Sequence, residues 1–104
     1  MEIHKDAHSF RAPKAWGAKD IALIEGASVR LHWTDKPYVW HKNDGSEVFV
    51  VLAGIVDMHY RIKGKTKIVR LEASDIFTAS CGDEHVAHPV GEARILVIEK
   101  SGSI

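Results

Sequence analysis

Residues 40–54, Trp-His-Lys-Asn-Asp-Gly-Ser-Glu-Val-Phe-Val-Val-Leu-Ala-Gly, leave the chain few ways to fold. After the turn Asp44-Gly45-Ser46 comes a run that stops at Gly54. It carries Val48, Val50 and Leu52 on one strand face and Phe49 and Val51 on the other. A strand apolar on both faces has to be covered on both. Side chains on a strand alternate, so His41 and Asn43 share a face. If the short turn keeps parity, Glu47, Phe49 and Val51 continue that face. Three polar groups with metal-ligand chemistry then point into the space that the apolar core fills.

The rest of the chain repeats the strand signal. Ile21–Ile24 reads as a short strand, and Ala27–Thr34 alternates Val29, Leu31 and Trp33 with Arg30, His32 and Thr34, the period of a half-buried strand. Asp35-Lys36-Pro37 turns into a strand over Tyr38–His41. Beyond Gly54, Val56, Met58, Tyr60 and Ile62 alternate with Asp57, His59 and Arg61, and Lys63-Gly64-Lys65 closes a hairpin onto Lys67–Leu71. Turns at Ala73-Ser74-Asp75, Ser80–Asp83 and Pro89–Glu92 separate strands at Ile76–Ala79, Glu84–His88 and Arg94–Lys100. Short strands at even spacing, with no stretch of helical period and no internal repeat, indicate an all-β sandwich or barrel.

A chain of 104 residues is expected to form one domain, with residues 1–20 covering one end of the core and 21–100 carrying the barrel strands. Fourteen basic and fourteen acidic residues cancel, so nothing in the charge count points to nucleic acid or an anionic membrane. The basic run Arg61–Lys67 straddles a turn and reads as a solvated hairpin tip. The one cysteine, Cys81, excludes an internal disulfide, and no apolar run approaches membrane-spanning length. A cytoplasmic protein is expected. The doubly apolar strand, with Ile95 or Leu96 of the last strand, implies a further buried face that a symmetric homodimer would supply.

A second histidine-bearing segment, Ser74 to His85, gives the first its meaning. Together they resemble the two motifs of the cupin superfamily. The first motif is His-x-His, three or four residues, Glu, six residues, Gly, and His41, Asn43, Glu47 and Gly54 stand at those spacings. The second begins Gly-x5-Pro-x-Gly-x2-His-x3-Asn. Here Gly82 and His85 are in place, while Ser74, Ser80 and Pro89 replace the first Gly, the Pro and the Asn. The resemblance spans roughly residues 27–100. It is closest to small single-domain cupins of the cupin 2 conserved-barrel, mannose-6-phosphate-isomerase-like type.

That resemblance implies a double-stranded β-helix, or jelly roll, with a divalent transition metal inside one end. The implied ligands are His41, Glu47 and His85, with Asn43 where the family has a second histidine. An amide oxygen is a weak neutral donor, and two histidines with one carboxylate leave open coordination positions. Fe, Mn, Zn, Ni and Cu all suit such a set. The inward faces nominate Phe49, Val51, Met58 and Tyr60 as pocket lining, a wall suited to a small organic ligand. His88 is expected at the rim, His59 facing outward, and Cys81 in a structural role; His4, His8 and His32 lack a partner pattern. Two functions follow. One is a metal-dependent enzyme of isomerase, dioxygenase or decarboxylase type. The other is a non-catalytic module that binds or senses a small ligand with a degenerate metal site.

Overall fold

The computed structural model describes residues 1–103. A single-turn 3-10 helix, Ala7–Ser9, precedes seven antiparallel strands: β1 (Gly17–Ile24), β2 (Ala27–Thr34), β3 (His41–Lys42), β4 (Glu47–Ile62), β5 (Lys65–Leu71), β6 (Ile76–Ala79) and β7 (Glu84–Lys100). The β1–β2 hairpin turns on Glu25 and Gly26, both at positive φ, as a two-residue turn requires.

β4 and β7 form the frame. They pair from Glu47 opposite Glu99 to Tyr60 opposite His85, and the register breaks around Ala53. Gly54 on β4 and Gly91 on β7 take positive φ at that break. A Cβ on Gly54 would lie 2.3 Å from the Glu92 carbonyl oxygen, so the two strands can approach there only because residue 54 is glycine. Each long strand therefore serves two half-sheets. One is β1-β2-β7-β4-β6; the other joins β3 and β5 to the remaining halves of β7 and β4. Phe49, Val51, Ala93, Ile95 and Val97 from the first half-sheet share one core with Val56, Met58, Leu71 and Ala87 from the second. The architecture is the jelly-roll barrel that the strand pattern and the resemblance imply.

The local expectations need five corrections. The strand expected to stop at Gly54 continues to Ile62, and the extra residue at the register break moves the inward phase from Phe49 and Val51 to Val56 and Met58. The turn expected at Pro89–Glu92 is a bend inside β7. β1 begins at Gly17 because Gly17–Asp20 pair with Arg30–Trp33. The expected strand over Tyr38–His41 reduces to His41–Lys42; of the residues before it, Tyr38 donates its backbone N–H to Ala87.

The fifth concerns β2, whose two faces are both used. Leu31 and Trp33 are buried on the outer side, where Arg11 lies over the Trp33 ring and Arg94 reaches the Phe10 carbonyl. Arg30 and His32 stand opposite inward-facing Val97 and Ile95, so the polar face of β2 turns toward the barrel interior. Among the described residues no helix is long and apolar enough to cross a membrane.

Candidate functional site

β3 and the first residues of β4 and β7 meet at one end of the barrel. His41 stands opposite His85 in the β3–β7 ladder. The backbone at Asn43 is clamped to the β6–β7 turn, its N–H donating to Asp83 at 2.8 Å and its carbonyl accepting from Gly82 at 2.8 Å. Glu47 opens β4. Exposure is 8% for Asn43, 6% for Glu47 and 2% for His85, and His41 is half-buried.

Buried polar groups require partners, and Asn43, Glu47 and His85 supply most of one another's. His85 Nε2 lies 2.7 Å from Asn43 Oδ1 and 3.0 Å from Glu47 Oε1. Both oxygens are acceptors, so the ring nitrogen donates. Asn43 Nδ2 donates to Glu47 Oε1 at 3.1 Å and to the Gly45 carbonyl at 3.2 Å. His41 Nδ1 donates to the Val39 carbonyl at 3.1 Å, which leaves the lone pair on Nε2. The His41 and His85 rings meet edge to face with centroids 4.4 Å apart. His85 Nδ1 is buried without a partner among the described residues. Burial alone would raise the Glu47 carboxyl. Hydrogen bonds from His85 and Asn43, with the charges of His85 and His41, outweigh it and hold the carboxyl below its ordinary value.

Whether these residues fit a metal is a question of distances. Ligand atoms about 2.0–2.2 Å from one ion lie roughly 3 Å apart when adjacent and about 4.3 Å apart at most. One ligand atom each from His41, Glu47 and His85 all fall within 4.8 Å of one another. The set fits a divalent transition metal with small side-chain shifts, and Asn43 Oδ1 points at the same space.

A cavity of about 160 Å³ opens onto this cluster. Trp16, Tyr38, Phe49, Ala87 and Val97 form its apolar wall, and Arg30, His32 and Glu99 bring polar groups to it. Trp16 adopts φ 61, a conformation rare for a bulky residue. It is held there by its indole N–H donating to the Lys36 carbonyl at 2.9 Å and by edge contacts to Tyr38 and His32. His32 Nδ1 donates to the Trp16 carbonyl at 3.1 Å, and burial lowers the affinity of this imidazole for a proton. Glu99, opposite Glu47 in the β4–β7 ladder, is pushed up to about 7 by burial and by the nearby charges of Glu47 and Asp44. Burial likewise raises the Tyr38 phenol.

Of the residues nominated as lining, Phe49 faces the cavity. Val51 and Met58 are fully buried in the core below it, and Tyr60 is half-buried beside Phe77, so these three stand outside the cavity wall. His59 and His88 stack on each other away from the cluster, and Cys81 is exposed in its turn. Sequence reasoning missed Trp16, Arg30, His32, Tyr38 and Glu99. Alternation along β2 placed Arg30 and His32 together, but the apolar Leu31 and Trp33 marked the opposite face as the inner one.

No family model and no curated protein matches the chain. Solved structures do. A cupin-2 domain protein from Shewanella frigidimarina is 26% identical, with a TM-score of 0.75 over 86% of this chain and 84% of that one. A hydroquinone 1,2-dioxygenase from a Sphingomonas species, solved with 4-hydroxybenzoate bound, is 21% identical with a TM-score of 0.77 over 88% of this chain. A second hydroquinone 1,2-dioxygenase, in complex with Fe3+, is 16% identical with a TM-score of 0.77 over 88% of this chain. This chain spans 29% of each dioxygenase, and at those identities the likeness is one of fold.

Proposed function

The chain is a small cupin domain, and from that premise we propose that it binds a divalent transition metal and acts on a small organic molecule held in the barrel cavity. The ligands are His41, Glu47 and His85, with the Asn43 amide oxygen beside them. The observation that carries this reading is the convergence of three donor side chains where an aromatic-walled cavity opens onto them.

A divalent metal held there supplies Lewis acidity and open positions for a substrate oxygen. The chain's own groups do the rest. Asn43 would keep its hydrogen bond to Glu47 when the carboxylate ligates, whereas His85 Nε2 would give up its proton to become a ligand. The Val39 carbonyl keeps His41 in the tautomer whose Nε2 can ligate. Trp16, Tyr38 and Phe49 pack a flat ligand and exclude water. Among the reaction types expected from the sequence, dioxygenase chemistry on a small phenol is favoured by the two dioxygenases that share the fold. Iron is the first metal to test, ahead of Mn, Zn, Ni and Cu.

Elemental analysis of tag-free protein tests this. About one equivalent of metal, lost in His41→Ala and Glu47→Ala while the fold persists, is expected. Oxygen uptake with hydroquinone or 4-hydroxybenzoate then tests the reaction. Folded protein that retains no metal after anaerobic reconstitution with Fe2+ overturns the reading.

One observation favours the non-catalytic alternative. The hydrogen bonds among Asn43, Glu47 and His85 close the cluster without an ion. Metal-free protein that binds a ring-sized ligand, with affinity unchanged by His41→Ala, would establish a binding module.

The protein would work in a reducing compartment, in keeping with its single free thiol, and pair with a second copy. The pairing face is the outer side of β4 and β7. Val48, Val50 and Leu52 are half-buried there beside Leu96, whereas Ile95 is fully buried in the core and takes no part.

A further inference from the structure

The inner face of the first half-sheet is a set of cross-strand rows. In one, Arg30 on β2 is followed by Val97 on β7, Phe49 on β4 and Phe77 on β6. Three members are apolar and built for a core. The fourth is a guanidinium, always charged, standing at the open edge of the row with its side chain 45% exposed. Arg30 nevertheless lines the cavity. Its counter-ion lies on the far side: Nε donates to Asp20 Oδ1 at 2.9 Å, across the β1–β2 ladder, and Asp20 is largely exposed. An exposed pair of that kind is weak. It aims the guanidinium and leaves its two Nη groups without a hydrogen-bond partner among the described residues.

We infer that Arg30 is the specificity residue of the cavity and that the ligand is a ring-sized monocarboxylate, its carboxylate paired with the Arg30 Nη groups and its opposite end reaching toward His41, Glu47 and His85. This deepens the proposed function and rests on it. The size follows from the sheet. Arg30 is two strands from Phe49, about 10 Å at the usual strand spacing, a span that one six-membered ring carrying a carboxylate fits. The volume agrees, since a cavity of about 150 Å³ admits benzene in a well-studied engineered protein, and this one measures about 160 Å³ with an open mouth. The flat apolar wall of Trp16, Tyr38 and Phe49 suits the faces of such a ring, and a planar guanidinium is shaped for bidentate pairing with a carboxylate. Asp20 and Glu99 flank Arg30 and limit the charge the mouth accepts, so a dianion is disfavoured.

Calorimetric or NMR titration with benzoate and with its neutral isostere benzamide tests the inference, on protein whose metal content has been measured. Benzoate is expected to bind about tenfold more tightly than benzamide, the value of one charge-assisted pair. Arg30→Gln should reduce that preference to about twofold or less and leave benzamide unaffected. Arg30→Lys, which keeps the charge but not the fork, should retain part of it, and Glu99→Gln should strengthen benzoate binding. Equal affinities in the wild-type protein, or an unchanged preference in Arg30→Gln, overturn the role of Arg30 while the cavity and its metal stand. Binding of neither compound overturns the inference as well. If metal content is then also unchanged in His41→Ala, the site reading falls with it.

Discussion

Asn43 occupies the one position where the ligand pattern departs from two histidines, and its side chain does three things at once. It donates to Glu47 and to Gly45 and accepts from His85. Asn43→Ala leaves buried partners unsatisfied and is expected to destabilise the fold by about 1–3 kcal/mol, measured as a shift in the urea midpoint. Asn43→His should retain more metal after dialysis against a chelator; equal retention would remove position 43 from the coordination sphere. That His41, Glu47 and His85 belong together was legible from motif spacing. The hydrogen bonds that join Asn43, Glu47 and His85 were not, because they depend on how the segment around β3 sits against β7. His32 carries a second residue-scale prediction. Burial lowers its affinity for a proton in the folded state, so the unfolded chain protonates first as pH falls. Its contribution is complete above the ordinary value of 6.5 and is lost as pH drops from there toward the lower folded value. Urea midpoints at pH 7.5 and pH 5.5 should therefore differ less in His32→Gln than in the wild-type protein. Equal differences would sink the assignment.

β4 and β7 decide the element scale, and both depend on a bend that the sequence marks only with glycine. Gly54 reads naturally as the end of a strand, since glycine interrupts strands and ends the apolar run. In the structure it is where β4 bends and continues. Gly54→Ala would drive a Cβ into the Glu92 carbonyl and close on Ala93 at 3.0 Å, at positive φ. A loss of about 3 kcal/mol or more is expected, enough to unfold a marginal domain. Gly64→Ala is the matched control. Its φ is also positive, but nothing lies within 4 Å of the added carbon, so only the conformational cost of about 1 kcal/mol remains. Thermal melts of both variants decide the matter, and equal shifts would refute the role given to the β4–β7 approach. Alternation within each strand was legible because period two survives any register. The phase change across Gly54, the brevity of β3 and the inward turn of Arg30 and His32 were not. Each is set by pairing between segments far apart in the chain, or by the N-terminal residues that cover Leu31 and Trp33 from outside.

The whole molecule presents an apolar outer surface that its own chain covers incompletely. Cross-strand rows run Val29, Ile98, Val48, Thr78 and Leu31, Leu96, Val50, Ile76 across β2, β7, β4 and β6, with no charged side chain in either row over these four strands; Lys19 of β1 stands beside Leu31 at the far end of the second. Ile76, at the other end of the second row, is 63% exposed. A two-fold axis through such a face sets each row against its own copy, the arrangement of an isologous dimer, and a stable one needs about 800 Å² from each partner. Light scattering at micromolar concentration should therefore return twice the chain mass. Symmetry also sharpens the mutational test, because one substitution places two like charges across the axis. Ile76→Lys puts a lysine where the single chain is already open to water, so the fold itself should be little affected. Its expected effect is a shift to the single-chain mass with unchanged circular dichroism and melting behaviour. A wild-type monomer would show that the rows face solvent, and a variant that stays dimeric would move the contact to another surface, such as the exposed Leu23 and Ile24 of edge strand β1.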